Sequence, residues 1–243
     1  MRGKFMLLDG LDGIGKGVYL DAMKEQAEKE RKCILDLHVY WKEHGSHPSV
    51  ADLDGYDLIL SSEPTYVGWG AKIRNELIKA DKNYSAREIA EAYAEDRKEL
   101  YVHVIIPALE AGIGVIQSRA VTTSLIYQPI DAARKGEALD WDAIVALEGN
   151  AFCLRKEVLP DAIVIPTVSD VKEVIRRLAA REKKDDASFE TYEFQLEVKA
   201  GFESEQFKNY FEKQGVSVIY ADAETSIEHS CNEAVRIYKE FFL

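Results

Sequence analysis

Residues Phe5–Gly17 read FMLLDGLDGIGKG. Phe5 to Leu8 is a short apolar run, suited to a buried strand, and it ends at Asp9. G-x-x-x-x-G-K follows, with Gly10, Gly13, Gly15 and Lys16. The next stretch, VYLDAMKEQAEKE, has helical composition. A glycine-rich turn between strand and helix is the setting in which backbone N–H groups wrap an anion. Glycine allows positive φ and lets amides approach phosphate oxygens closely. The helix aims its positive end at the same point, and Lys16 adds a mobile charge. Gly10, Gly13, Ile14, Gly15, Lys16, Gly17 and Val18 are therefore the candidate phosphate cradle. Such a loop usually closes with Ser or Thr, whose hydroxyl ligates Mg²⁺. Gly17 and Val18 carry no ligand atom. A glycine-rich turn that holds no nucleotide is the plain alternative reading.

A chain of 243 residues allows one large α/β domain or two small ones. An apolar fraction of 47% supplies an ordinary core. The net charge of −12 argues against a surface that coats nucleic acid, but a local basic site can still take a small anion. Cys33, Cys153 and Cys231 are scattered with no CxxC spacing, as in a reduced cytoplasmic protein. The apolar run after Arg2 and Lys4 is too short for a signal peptide, and no run has the length of a membrane span.

Strands are expected at Phe5–Leu8, Cys33–Tyr40, Asp57–Ser62, Gly114–Gln117, Asp161–Pro166 and Val216–Tyr220. Helices are expected at 16–31, 71–79, 86–110 with a bend at Pro107, 123–128, 140–152, 170–181, 189–214 and 226–242. Ser85 followed by Glu88 spells a capping box for the long helix. Trp41–Tyr56 reads as a polar loop or small excursion. His44 and His47 lie there, with His38 shortly before, but no acidic or cysteine partner at a fixed spacing supports a metal site. Alternating strands and helices imply a parallel sheet covered by helices, with ligands at the carboxyl ends of the strands.

Four pieces of the chain, in order, resemble the thymidylate kinase family of nucleoside-monophosphate kinases. DGLDGIGKG is similar to the family's EGLDGAGKS, and SSEPTYVGWGAKIRNELI to TREPGGTPLGEKIRELL. AYAEDRKELYVHVIIPALEAG is similar to FAADRAQHVEEVIKPALAAG, and VIQSRAVTTSLIYQ to VICDRYVDSSLAYQG. The resemblance implies a single domain over 1–243. Its fold is the three-layer α/β/α fold of P-loop NTPases, with about five parallel strands, an insertion at about 41–56 and a short lid at about 181–190. It also implies an ATP-dependent kinase with Mg²⁺, acting most of all on dTMP, cytoplasmic and homodimeric, with no nucleic-acid polymer or membrane as partner.

The resemblance assigns roles residue by residue. Lys16 and the lid cations, Arg181 among them, would neutralise the transferred group. Arg97 would hold the acceptor phosphate, and Arg119 with Asp12 would align the attack. Asp9 and Asp12 would be nearest to Mg²⁺. Glu63, Pro64, Arg74, Tyr93, Glu99, Tyr127 and Gln128 would line the acceptor pocket. Read without the resemblance, Arg97 fits an ordinary helix ion pair, Arg119 a strand-end surface charge and Asp12 a turn residue. Tyr93, Tyr127 and Gln128 fit simple helix packing. Arg176, Arg177, Arg181, Lys183 and Lys184 fit a solvated helix end as well as a lid.

Three departures leave the activity open. Ser62 replaces an arginine, and Ser118 replaces the Asp of the family's DR pair. Glu99 replaces a Gln, and an ionised carboxylate cannot donate a hydrogen bond to a base. The alternatives are a kinase for another nucleotide or a deoxynucleoside, and a nucleotide-binding protein that no longer transfers phosphate.

Overall fold

The computed structural model describes residues 1–79, 84–180 and 191–243. Strand β1 (Phe5–Leu8) is buried at all four residues, so it must be covered on both faces. It lies between β4 (Gly114–Ser118) and β5 (Ala162–Thr167), parallel to both. The full order is β2-β3-β4-β1-β5-β6, with β2 (Ile34–Asp36), β3 (Leu58–Ser62) and β6 (Ser217–Asp222), all parallel. Among the described residues the sheet has six strands, the number read from the pattern, where the resemblance implies about five. In register, Leu8 sits opposite Ser118 and Val164, and Ser62 opposite Ser118. This brings the loops after β1, β3 and β4 to one edge of the sheet.

Helix α1 (Lys16–Lys29) follows the glycine loop and packs on α12 (Ile227–Phe242). The long helix begins as α4 (Ala86–Leu100), capped by Ser85 and Glu88 as expected. It runs through a π-helical stretch, Tyr101–Ile105, into α5 (Ile106–Glu110). The irregularity therefore precedes Pro107. Against α4 pack α6 (Val121–Arg134) and α8 (Glu148–Cys153).

Several expected elements differ. The segment Cys33–Tyr40 is not one strand. β2 stops at Asp36, whose carboxylate accepts the His38 N–H and caps α2 (Leu37–His44). Leu37 and Trp41 are buried one turn apart on that helix, a spacing that outweighs the strand-like alternation. The segment 41–56 therefore contains the end of α2 and a 3₁₀ turn, Val50–Leu53. The helix expected at 140–152 is broken at Leu147 into α7 (Trp141–Ala146) and α8. The described part of the helix expected at 189–214 holds two helices, α10 (Tyr192–Phe202) and α11 (Glu205–Glu212), divided where Ser204 caps the second. The lid expected at 181–190, with Arg181, Lys183 and Lys184, lies outside the described residues. No helix among the described residues is long and apolar enough to cross a membrane.

Candidate active site

The glycine loop has the backbone its sequence calls for. Gly10, Gly13 and Gly15 all take positive φ, at 128°, 80° and 109°. Gly13 has a second constraint: a Cβ there would lie 2.6 Å from Leu178 Cγ of α9 (Val171–Ala179). The loop is thus pressed against α9. Arg177 of the same helix donates to the Ile14 carbonyl at 3.3 Å and to the Ala223 carbonyl at 3.0 Å. Arg176 is exposed and paired with Glu173. Lys16 Nζ folds back to donate to the carbonyls of Gly10 (3.1 Å) and Leu11 (2.7 Å). At Gly17 an added Cβ would meet nothing within 4 Å, so the residue is not required by packing.

At the end of β4, Arg119 adopts φ 64°, unusual for a residue with a side chain. Its N–H donates to the Leu8 carbonyl at 3.0 Å. Its guanidinium donates to Asp12 Oδ1 inside the glycine loop and sits 5.7 Å from the Tyr127 ring centre. Burial opposes the charge on Arg119, but the carboxylates of Asp12 and Asp9 outweigh it and raise its pKa. Asp12 also stands 4.0 Å from Lys16 Nζ. Its N–H donates to Gln195 Oε1 of α10 at 3.1 Å. Tyr127 is buried among the rings of Phe194 and Phe202, and its hydroxyl donates to the Gly10 carbonyl at 3.3 Å. Gln128 is buried beside it on α6.

Asp9 is fully buried. One oxygen accepts from the Gly10 N–H at 2.8 Å, the other from Thr122 Oγ1 (2.5 Å) and Thr123 Oγ1 (2.7 Å). With Asp12 on Arg119 and no hydroxyl at Gly17, these residues do not form a ligand set for magnesium. The metal role expected of Asp9 and Asp12, directly or through water, would require these contacts to be exchanged: two hydroxyls hold one oxygen of Asp9, and a guanidinium holds Oδ1 of Asp12. No group of three or more potential metal ligands occurs among the described residues. The histidines fit that finding. His38 bonds Ser62 Oγ, His44 stacks on Tyr40, and His47 accepts from Trp41 Nε1 at 3.2 Å. Burial and the adjacent His103 push His47 down to about 4.

The turn after β3 is built on α4. Asp96 accepts from both the Thr65 N–H (2.8 Å) and Oγ1 (2.6 Å). Arg74, in the π-helical stretch after α3 (Gly68–Lys72), donates to the carbonyls of Pro64 (3.1 Å) and Thr65 (3.0 Å). It also lies 4.1 Å over the Tyr66 ring. Burial raises the pKa of Tyr93, while Arg119 and Arg74 pull it the other way. Glu99 is placed with one carboxylate oxygen 2.8 Å from where a Cβ of Gly68 would stand. Burial and Asp96 raise its pKa.

Arg97 differs most from expectation. It is 1% exposed, ion-paired to Glu63 at 2.7 Å, and donates to Ser124 Oγ at 3.0 Å and to Asn150 Oδ1. The guanidinium is enclosed by these partners. It ties α4 to the β3 turn, α6 and α8. Burial pushes Glu63 up to about 7 despite Arg97. Sequence reasoning missed Ser124, Asn150, Gln195, Thr122, Thr123 and Gln117. Only the Thr122-Thr123 pair, four residues past the end of β4, carried a local signal.

The thymidylate kinase family model matches residues 51–233. This chain belongs to the thymidylate kinase family. The matched range contains Glu63, Arg74, Tyr93, Arg97, Arg119 and Tyr127 of this thymidylate kinase family member, and the glycine loop precedes it. A probable thymidylate kinase of Pyrococcus abyssi is 32% identical over 185 residues, 74% of this chain and 72% of the relative. The thymidylate kinase of Caldicellulosiruptor saccharolyticus is 29% identical over 212 residues, 86% of each chain. That of Caldanaerobacter subterraneus is 28% identical over 202 residues, 83% of this chain and 81% of the relative.

Proposed function

We propose that this chain transfers the terminal phosphoryl group of ATP to a deoxynucleoside monophosphate, dTMP before others, releasing ADP and dTDP. The observation that carries the reading is the meeting of Asp12, Arg119 and Lys16 where the loop after β1 faces the end of β4. Amides of Gly13 to Lys16 would hold the donor phosphates, and Lys16 would exchange its loop carbonyls for phosphate oxygens. Arg119 would lie between donor and acceptor, with Asp12 fixing its direction. Tyr93 and Arg74 would border the acceptor. Transfer forms a bond from an acceptor phosphate oxygen to the γ-phosphorus and breaks the bond to the β-phosphate. The acceptor oxygen is already anionic, so no general base is needed, and catalysis is positioning and charge neutralisation. Magnesium is implied by the family, but the described residues do not supply its ligands, and no step here is routed through it.

A coupled ADP-release assay across the common deoxynucleoside monophosphates tests the reading. Turnover of dTMP well above the rest supports it, and turnover of none overturns it. A second reading, another acceptor base, is favoured by Glu99, whose carboxylate stands against Gly68 where a Gln would offer a donor. Turnover of a base with more donors and not of dTMP would establish it. The same family reading carries a homodimer, which light scattering tests.

A further inference from the structure

Gln117 is a polar residue in the middle of the sheet. It lies on β4 between Leu7 of β1 and Ser61 of β3, after Val115 and Ile116, and is wholly buried. Its Nε2 donates to Glu63 Oε1 at 2.8 Å and to the Arg119 carbonyl at 3.0 Å. Its Oε1 has no hydrogen-bond partner among the described residues. These contacts fix the amide's orientation, because a flipped amide would face its oxygen toward a carboxyl oxygen and a carbonyl. An amide placed here carries a desolvation cost with only one end satisfied. What it secures is the residue two positions on. Arg119 is one of two residues other than glycine with positive φ among those described, and its guanidinium meets Asp12 of the glycine loop.

We propose that Gln117 is a positioning residue: anchored on Glu63, it holds the Arg119 carbonyl so that the left-handed turn delivers the guanidinium to Asp12. Glu63 is in turn fixed by Arg97, which explains why that arginine is buried rather than displayed. The chain of contacts runs Arg97, Glu63, Gln117, Arg119 carbonyl, with Asp12 at its end. The inference rests on the role given to Arg119 above, so its test includes a readout that needs no substrate.

The variant is Gln117→Met, which keeps the length and removes the donor. In the full chain with ATP and dTMP, kcat falls about tenfold to a hundredfold, the sensitivity expected of transfer to small misplacement, while KM for ATP stays within about twofold. In an Arg119→Ala background the same substitution costs less than about twofold, because Gln117 acts only through Arg119. Gln117→Asn, one methylene short, falls between, and replaces Gln117→Met in the cycle if the latter does not fold by circular dichroism. Unchanged kcat in Gln117→Met, or equal losses in both backgrounds, overturns the proposal. The substrate-free readout is amide exchange. The Arg119 N–H, bonded to the Leu8 carbonyl, exchanges at least about tenfold faster in the variant, while Val115, bonded to the Lys4 carbonyl, does not change. If the wild type transfers phosphate to no monophosphate, the functional reading fails, and the exchange result alone decides whether Gln117 positions Arg119.

Discussion

Replacing Glu63 by Gln should make the protein more stable at alkaline pH and leave it nearly unchanged in acid. In the folded chain burial raises this carboxyl from 4.5 to about 7, with Arg97 pulling the other way. The folded state therefore holds a proton that the unfolded state has released, over the window between those two values. Stability falls as pH rises through that window, because the native state binds more protons there. The gap of two to three pH units corresponds to about 3 kcal/mol by about pH 8, and to less than about 1 kcal/mol at about pH 5. Glu63 is fully buried, so solvent does not screen that figure away. Gln keeps the side-chain shape and an acceptor for Gln117, and it never ionises. Urea titrations of both proteins from about pH 5 to about pH 8 read the difference directly. Asp96 and Glu99 also have raised pKa values, but they are present in both proteins and largely cancel. A constant difference across the range would refute the reasoning. A wild type that gains on the variant with rising pH would show that Arg97 holds Glu63 ionised and that pairing outweighs burial.

Three further outcomes follow from the geometry. Arg119→Ala should lower phosphoryl transfer by about two to three orders of magnitude with little loss of stability, since a guanidinium at the transferring group is worth that much or more; steady-state kinetics with a urea melt separates the two effects. Gly13→Ala should cost at least about 1–2 kcal/mol from its positive φ alone, with more from the clash with Leu178, and should weaken ATP binding, read by urea melts and calorimetry. Gly17→Ser has open space around its new Cβ and supplies the missing hydroxyl. ATP affinity should therefore become more magnesium-dependent by about tenfold or more, the scale of one added metal contact, as measured by calorimetry with and without chelator.

The glycine loop was legible because its determinants are local: a run of apolar residues, glycines at set intervals and a lysine in register. The parallel sheet was legible from alternation, and the acceptor side from short motifs at strand ends. α2 was not, because Leu35, Leu37 and Val39 alternate like a strand. The cap that turns the chain, Asp36 onto the His38 N–H, is a choice between two local hydrogen bonds that a sequence pattern does not rank. For Arg97 the resemblance offered an acceptor phosphate and its own helix an ordinary ion pair, and neither points to a partner remote in sequence. Its actual partners, Glu63, Ser124 and Asn150, lie 27 to 53 positions away on three other segments. Gln117 went unnoticed for the same reason: one of its two acceptors is remote, and the other is a backbone oxygen.

Lys16 shows what the loop demands of any guest. Its ammonium group is already engaged by the Gly10 and Leu11 carbonyls, with the Asp12 carboxylate 4.0 Å away, so an arriving ligand must draw it from oxygens of the protein itself. A phosphoryl oxygen does so because it brings full charge. An uncharged mimic of the same shape offers only another dipole and gains nothing by the exchange. Discrimination against such mimics is thus inherent in the resting loop, with no clash needed to turn them away.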